Sequence, residues 1–187
     1  MLFLWILVLV VVIVLLKYLY LILKRLHFLR KLTKKAKAHH GSVGYYRNPM
    51  FSVFRHDGKA DLFLEMPEKT IDIAVITTPL RRVRYHFDMN GKRLELIVER
   101  RASYVVNPRR PSPGAVVDRV YTIKKYKMAF DASGQKHQKY VVLNPAPISV
   151  SKAEDATFAL LYNNDPLLPD VRVCGSKWLL GNVFEEG

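Results

Sequence analysis

Leu2 to Leu16 is a run of fifteen residues without one polar side chain, and after Lys17 it resumes as Tyr18-Leu19-Tyr20-Leu21-Ile22-Leu23. As a helix, residues 2–23 rise roughly 33 Å, which matches a hydrocarbon core of about 30 Å. The stretch reads as a transmembrane helix, so the rest of the chain must be a domain hung from it. A cleaved signal peptide would carry a basic leading region, a shorter apolar core and a small-residue cleavage site. Here no charge precedes Lys17, and the run is followed by Lys24-Arg25-Leu26-His27-Phe28. Lys17 lies near the end of the span, where its stem can snorkel to the headgroups. Tyr18 and Tyr20 fall at the same level, where aromatic belts occur.

Orientation follows from charge. Residues 1–40 hold Lys17, Lys24, Arg25, Arg30, Lys31, Lys34, Lys35 and Lys37 and no acidic residue. All eight lie at or beyond the end of the span, and basic flanks stay cytoplasmic. The expected placement is the plasma membrane, with the N-terminus outside and the C-terminal domain in the cytoplasm. The single cysteine, Cys174, has no partner for an internal disulfide, which fits a reducing compartment.

The chain then divides into a transmembrane helix (1–23), a basic juxtamembrane helix (24–40) and one domain (41–187) long enough for a real core. Of the net charge of +14, eight positive charges lie in residues 1–40; residues 41–80 net −1, residues 81–140 net +10 and residues 141–187 net −3. A basic block beside a bilayer most simply meets anionic headgroups. Lys24, Arg25, Arg30, Lys31, Lys34, Lys35 and Lys37 are therefore the candidate lipid-binding residues. The second block, within the domain, suits lipid, nucleic acid or an acidic partner. In the juxtamembrane stretch Leu26, Leu29 or Arg30, Leu32 and Ala36 recur at helical spacing. Two placements stay open: a continuation of the first helix, or an amphipathic helix lying on the bilayer. Lipid contact and packing on the domain weigh equally. His39-His40-Gly41 supplies the stop.

Strands follow. Val43–Arg47 is short and aromatic. Met50–Arg55 reads as a β-rich apolar segment closed by Asp57-Gly58. Residues 61–66 form another strand. Thr70–Thr78 is β-branched and almost continuously apolar, the pattern of a central strand covered on both faces. Arg81–Met89 alternates, Asn90-Gly91 is a strong hairpin signal, and Lys92–Arg101 returns. Residues 107–114, with three prolines and a glycine, cannot continue a sheet. Ala115–Phe130 is strand-like, Ser133-Gly134 turns, and Lys139–Leu143 is a short buried strand cut off by Asn144-Pro145. Ile148–Val150 reads as an edge pairing. Glu154–Tyr162 is helix or strand, undecided by pattern. Val171–Val173 and the cluster Trp178, Leu179, Leu180, Val183 and Phe184 close the domain. The fold class expected is α+β: an N-terminal transmembrane helix with a basic extension, then one mixed, strand-rich cytosolic domain.

Candidate chemistry is sparse. Asp61 and Glu65 share a strand face by the period-two rule, and Asp72 begins the next strand. An acidic strand followed by a buried one resembles the metal site of restriction-endonuclease-like nucleases, where an Asp and a Glu-x-Lys on adjacent strands bind Mg²⁺ and activate water. The matching part of the second strand is Ile73-Ala74-Val75-Ile76-Thr77-Thr78, which offers no second carboxylate and no lysine. Asp61, Glu65 and Asp72 are thus candidates for a degenerate site only, with no obvious cation to balance Asp61 unless Arg81, Arg82 or Arg84 folds back. His86 and Asp88 share a strand face, but a metal needs a further pair; solvated surface residues are the simpler reading. His39-His40 reads as a dipole-complementing helix end, and Cys174 as a structural thiol. No nucleophile elbow, Walker loop or dinucleotide fingerprint is present. No metal and no cofactor is assigned.

The order of anchor, basic helix, Arg47-Asn48-Pro49, Asp61-bearing strand, Leu143-Asn144-Pro145-Ala146-Pro147 break and Asn164-Asp165 turn resembles a group of small single-pass membrane proteins of Gram-positive bacteria without assigned activity. The resemblance implies no catalytic residue. The sequence favours a membrane-tethered, non-enzymatic binding or scaffold domain whose partners are the bilayer and anionic headgroups, its protein partner unspecified. The alternative is a nucleic-acid-binding or degenerate nuclease-like domain held at the membrane.

Overall fold

The computed structural model describes residues 1–78, 83–90, 93–105, 116–129, 137–154 and 157–185. Its first element, α1 (Leu2–Ala38), is one helix of 37 residues. The apolar stretch and the basic stretch are therefore continuous; Leu23-Lys24-Arg25 contains neither Gly nor Pro to break the hydrogen-bond ladder. From Phe3 to Tyr20 every side chain is exposed, and burial begins at Leu21. Beyond it Leu21, Arg25, Phe28, Leu29, Leu32 and Ala36 form a buried stripe. Of the spaced positions read from sequence, Leu29, Leu32 and Ala36 pack inward while Leu26 is only half-buried. The helix stops in a Schellman arrangement, with Gly41 N–H returned to Ala36 O at 2.8 Å and His40 N–H to Lys37 O at 3.3 Å. His40, not Gly41, takes the left-handed position, at φ 57°. Gly41 is needed for space, since a Cβ there would lie 2.7 Å from Glu65 O.

Among the described residues eleven strands follow: β1 (Ser42–Tyr45), β2 (Leu62–Glu65), β3 (Thr70–Thr77), β4 (Arg84–Asn90), β5 (Arg93–Val105), β6 (Val116–Met128), β7 (Gln138–Asn144), β8 (Ser149–Glu154), β9 (Thr157–Leu161), β10 (Asp165–Leu168) and β11 (Val171–Gly175). A short helix, α2 (Ser176–Asn182), ends the domain. The strands make a six-stranded sheet in the order β1-β2-β3-β7-β11-β10 and a five-stranded sheet in the order β6-β5-β4-β8-β9. Three layers result. The helices pack on one face of the first sheet through Phe28, Leu32, Ile73, Val142 and Leu179. The second sheet packs on the other face through Ile76, Leu143, Val173, Tyr85, Phe87 and Leu96. β3 is covered on both sides, as its continuous apolar run predicts.

β3, β7 and β11 are parallel. Parallel neighbours need a crossover, usually a helix. Here the β4-β5-β6 meander fills that role between β3 and β7, and β8, β9 and β10 fill it between β7 and β11. The second sheet is thus assembled from the connections of the first. β4 and β5 pair as the expected hairpin, but Asn90 is the last residue of β4, opposite Arg93, and not a turn residue as Asn90-Gly91 reads in the sequence.

Three local readings change. Met50–Arg55 is a turn followed by a 3-10 helix at Ser52–Phe54, not a strand; Asn48 Oδ1 accepts the Met50 N–H at 2.9 Å and starts the turn. β8 lies inside its sheet, between β4 and β9, not at an edge. Residues 157–161 are an edge strand, which settles the ambiguous segment. The loop 107–114, the turn Ser133-Gly134 and Arg81 and Arg82 fall outside the described residues.

Candidate functional site

The three carboxylates singled out in the sequence are held by three separate sets of partners. Glu65, at the exposed end of β2, accepts a hydrogen bond from Ser42 Oγ at 3.2 Å. Asp72 accepts one from the Tyr46 hydroxyl at 2.9 Å and lies 3.9 Å from His137 Nδ1. Asp61 is paired with Arg25: Nη2 stands 2.8 Å from Asp61 Oδ2, and both side chains are almost wholly buried. The cation that balances Asp61 therefore comes from α1, 36 positions earlier in the chain.

The pair has a backbone purpose. β2 pairs with β3 only as far as Leu62 opposite Ile73. Asp61 N–H still reaches Ile73 O at 2.8 Å, and beyond that the neighbouring strand has peeled away. Val75, the next residue of β3 to present its N–H and C=O on that side, is served by side chains. Asp61 Oδ2 accepts the Val75 N–H at 2.8 Å, and Arg25 Nη1 donates to Val75 O at 2.9 Å. A second contact from Nη1 reaches Ser52 O at 3.5 Å. The two ions complete the ladder where the strand ends, so no buried backbone group of Val75 is orphaned. Arg25 is accordingly removed from the lipid-facing set: it is 0 % exposed and directed into the domain. Charge counting assigned it to headgroups because a sequence does not show which face of a helix the sheet covers.

The other basic residues of α1 lie on its outward side. Arg30, Lys31, Lys34, Lys35 and Lys37 are exposed. Lys24 folds back over Tyr20, with its amine 5.2 Å from the ring centroid, a cation–π contact. Arg30, Lys34 and Lys37, spaced along one helix face, border a groove of about 380 Å³ whose apolar surface comes from Leu26, Leu29 and Tyr45. Such a groove can seat an anionic group that carries an apolar portion.

A further polar group sits at the carboxyl ends of β3, β7 and β11, the usual ligand crevice of parallel sheets. Here those residues bind one another. Tyr85 donates to Thr78 Oγ1 at 3.1 Å, Ser176 Oγ bonds Asn144 Oδ1 at 3.2 Å, and His56 Nε2 meets Thr77 O at 3.2 Å. His56 stacks on Tyr126 with ring centroids 4.2 Å apart. Burial lowers its pKa, an effect opposed by hydrogen bonds to the Thr77 and Phe54 backbone and reinforced by Lys124 and Arg25. Sequence inspection gave no sign of this cluster, because its members come from six separate segments.

His86 is bonded through Nδ1 to Ser151 Oγ at 2.9 Å and stacks on Phe158. Among the described residues no three His, Cys, Asp or Glu side chains are grouped so as to hold a metal ion. Cys174 is buried in the core, and burial pushes its thiol far above the ordinary range, which suits packing and not nucleophilic work. Comparison with known proteins adds no identity to this geometry: no family model, curated protein or solved structure matches the chain.

Proposed function

We propose that this chain is a single-pass membrane protein whose strand-rich domain is a non-enzymatic binding or scaffold module held at the inner leaflet of the plasma membrane, with its N-terminus outside. The observation that carries this reading is the unbroken passage of α1 from eighteen exposed residues, Phe3–Tyr20, into the centre of the domain core. Those eighteen residues rise roughly 27 Å, close to a hydrocarbon thickness of about 30 Å. The domain is thereby fixed rigidly on its anchor, and not tethered by a flexible neck.

The same continuity sets the height of each basic residue. With α1 upright, Arg30 stands about 15 Å beyond Tyr20 and Lys37 about 25 Å beyond it. The headgroup layer is only about 5–8 Å thick on each side. The Lys24 amine is covered over Tyr20, Arg30 and Lys31 act on headgroups within about one Debye length, and Lys34, Lys35 and Lys37 act on what approaches from the cytosol. Anionic lipid is thus the partner of the first turns of the extension. The groove beside Arg30, Lys34 and Lys37 faces soluble ligands.

Photoreactive side chains placed at positions 23 and 37 of the full chain, in vesicles containing phosphatidylglycerol, test this placement. Lipid adducts are expected at the exposed position 23 and not at 37; equal labelling would refute it. One observation favours the nucleic-acid alternative: Lys124, Lys125 and Lys127 are all exposed on β6, the edge strand of the second sheet. DNA or RNA binding by the full chain in neutral nanodiscs, with a steep salt slope, would favour that alternative.

A further inference from the structure

The turn that replaces the expected strand at Met50–Arg55 is apolar in a place where apolar side chains gain nothing from the domain. Phe51 is 71 % exposed, and Met50 and Phe54 are about half exposed. Single exposed hydrophobic residues are ordinary on any surface. Three within five residues, on a rigid turn, are not. The turn is fastened at both ends. Phe51 and Ser52 N–H groups return to Asn48 O at 3.2 and 3.0 Å, and Phe54 and Arg55 N–H groups return to Phe51 O and Ser52 O. Val53 is buried beneath it, and Arg25 reaches Ser52 O.

Its position on the anchor is fixed by one contact. The Phe54 ring meets Tyr18 edge-to-face, with centroids 5.0 Å apart and planes at 85°. Tyr18 belongs to the exposed part of α1, before burial begins at Leu21. Phe54 is therefore at the depth of Tyr18, about 10 Å nearer the bilayer than Arg25. β1 leads the chain to this end of the domain and β2 leads it away, so Met50 and Phe51 lie in a loop at the membrane-proximal end. Tyr18 packs on it and the exposed Arg55 follows it, an aromatic and a basic side chain of the kind that favours an interface.

We propose that the Met50–Phe54 turn is a second membrane contact: Met50, Phe51 and Phe54 sit in the acyl–headgroup boundary of the leaflet from which α1 emerges. The partner is the lipid annulus around α1 itself, since lipid that solvates the exposed Tyr18 meets the ring of Phe54 at the same depth. A helix alone leaves its domain free to rotate about the helix axis; a helix plus a wedge does not. The wedge thus selects the face of the domain turned to the membrane and the face left to the cytosol. The inference rests on the reading that α1 crosses the bilayer.

The experiment separates the two. Single cysteines replace Val10, Phe51 or Glu68 in the full chain, with buried Cys174 left unlabelled, and each carries an environment-sensitive nitrobenzoxadiazole dye. The proteins are reconstituted in mixed phosphatidylcholine–phosphatidylglycerol vesicles. Unchanged Trp178 emission verifies the fold. At position 51 the expected result is blue-shifted emission, quenched by lipids with a nitroxide near the headgroup and insensitive to aqueous iodide. Position 68, in the exposed turn after β2, should show the reverse, and position 10 should be quenched by nitroxides deep in the acyl chains. If position 10 lies in the bilayer while position 51 is quenched by iodide like position 68, the wedge is refuted and the anchor stands. If position 10 itself is open to iodide, the transmembrane reading fails and the wedge falls with it.

Discussion

Arg25→Met is the substitution whose outcome the structure specifies most closely. It removes the guanidinium but keeps an unbranched apolar stem on the buried stripe of α1. Asp61 is left as a carboxylate in a nearly water-free site, retaining only the Val75 N–H, while Val75 O loses its 2.9 Å donor. Breaking one side of a buried pair costs about 3–5 kcal/mol. Against a total stability of about 5–15 kcal/mol for a domain, that is a large share. For a domain of this size it lowers Tm by about 6–20 °C. Asp61→Asn should cost a similar amount for the opposite reason, since it strands the cation.

The double variant Arg25→Met with Asp61→Leu removes both charges but leaves the Val75 N–H and C=O unserved, at about 1–3 kcal/mol each. It should therefore cost about as much as one single variant, so the two single costs should fail to add. Thermal unfolding of the full chain with Trp5 replaced by Phe, in nonionic detergent, measures this, read by the fluorescence of Trp178, which is half-buried against the core beside Tyr140. A loss below about 1 kcal/mol for Arg25→Met, the magnitude of an exposed ion pair, would refute the reasoning, as would strict additivity in the double variant.

Truncation to residues 41–187 should give an insoluble or molten product, because it deletes Phe28, Leu29, Leu32 and Ala36 from the core and leaves Asp61 unpaired; a sharp cooperative melt of that fragment would contradict the fold. His56, with its pKa lowered by burial, should contribute a pH dependence of definite sign. The unfolded chain binds the proton more readily, so stability is full above about pH 6.5 and falls as pH drops below it. Replacing His56 with Gln should flatten that fall between pH 7.5 and 5 in a Tm series, and an unaltered slope would dismiss the assignment. Gly44→Val should destabilise β1 by about 1–3 kcal/mol, since a Cβ at Gly44 would lie 2.1 Å from the Phe63 ring. Trimming that ring with Phe63→Leu should restore most of the loss, which a denaturant series on the three variants reads directly.

Local information carried much of the architecture. The long apolar helix is legible because its residues include no Gly or Pro to break it, and β3 because β-branched apolar residues without alternation suit a strand with no solvated face. The β4–β5 hairpin is legible because Asn-Gly marks a nearby reversal, but its register is not, since Asn90 itself pairs with Arg93. Met50–Arg55 misled for the same local reason: apolar residues on a surface turn look like residues of a buried strand. Only their place beside Tyr18 distinguishes the two cases.

What the sequence determines by itself is the periodicity of each segment and the charge it carries, since both depend on neighbours a few residues apart. It therefore shows one long apolar helix with a basic continuation, and a strand-rich domain behind it. It does not decide which basic residue faces lipid and which is an internal counter-ion. Arg25 and Lys24 are adjacent and chemically alike, yet one completes the hydrogen bonding of Val75 while the other lies over Tyr20. That difference is made by a rotation of 100° per residue along α1 and by where β2 stops pairing with β3. Both are facts about elements far apart in the chain, and only the tertiary structure brings them together.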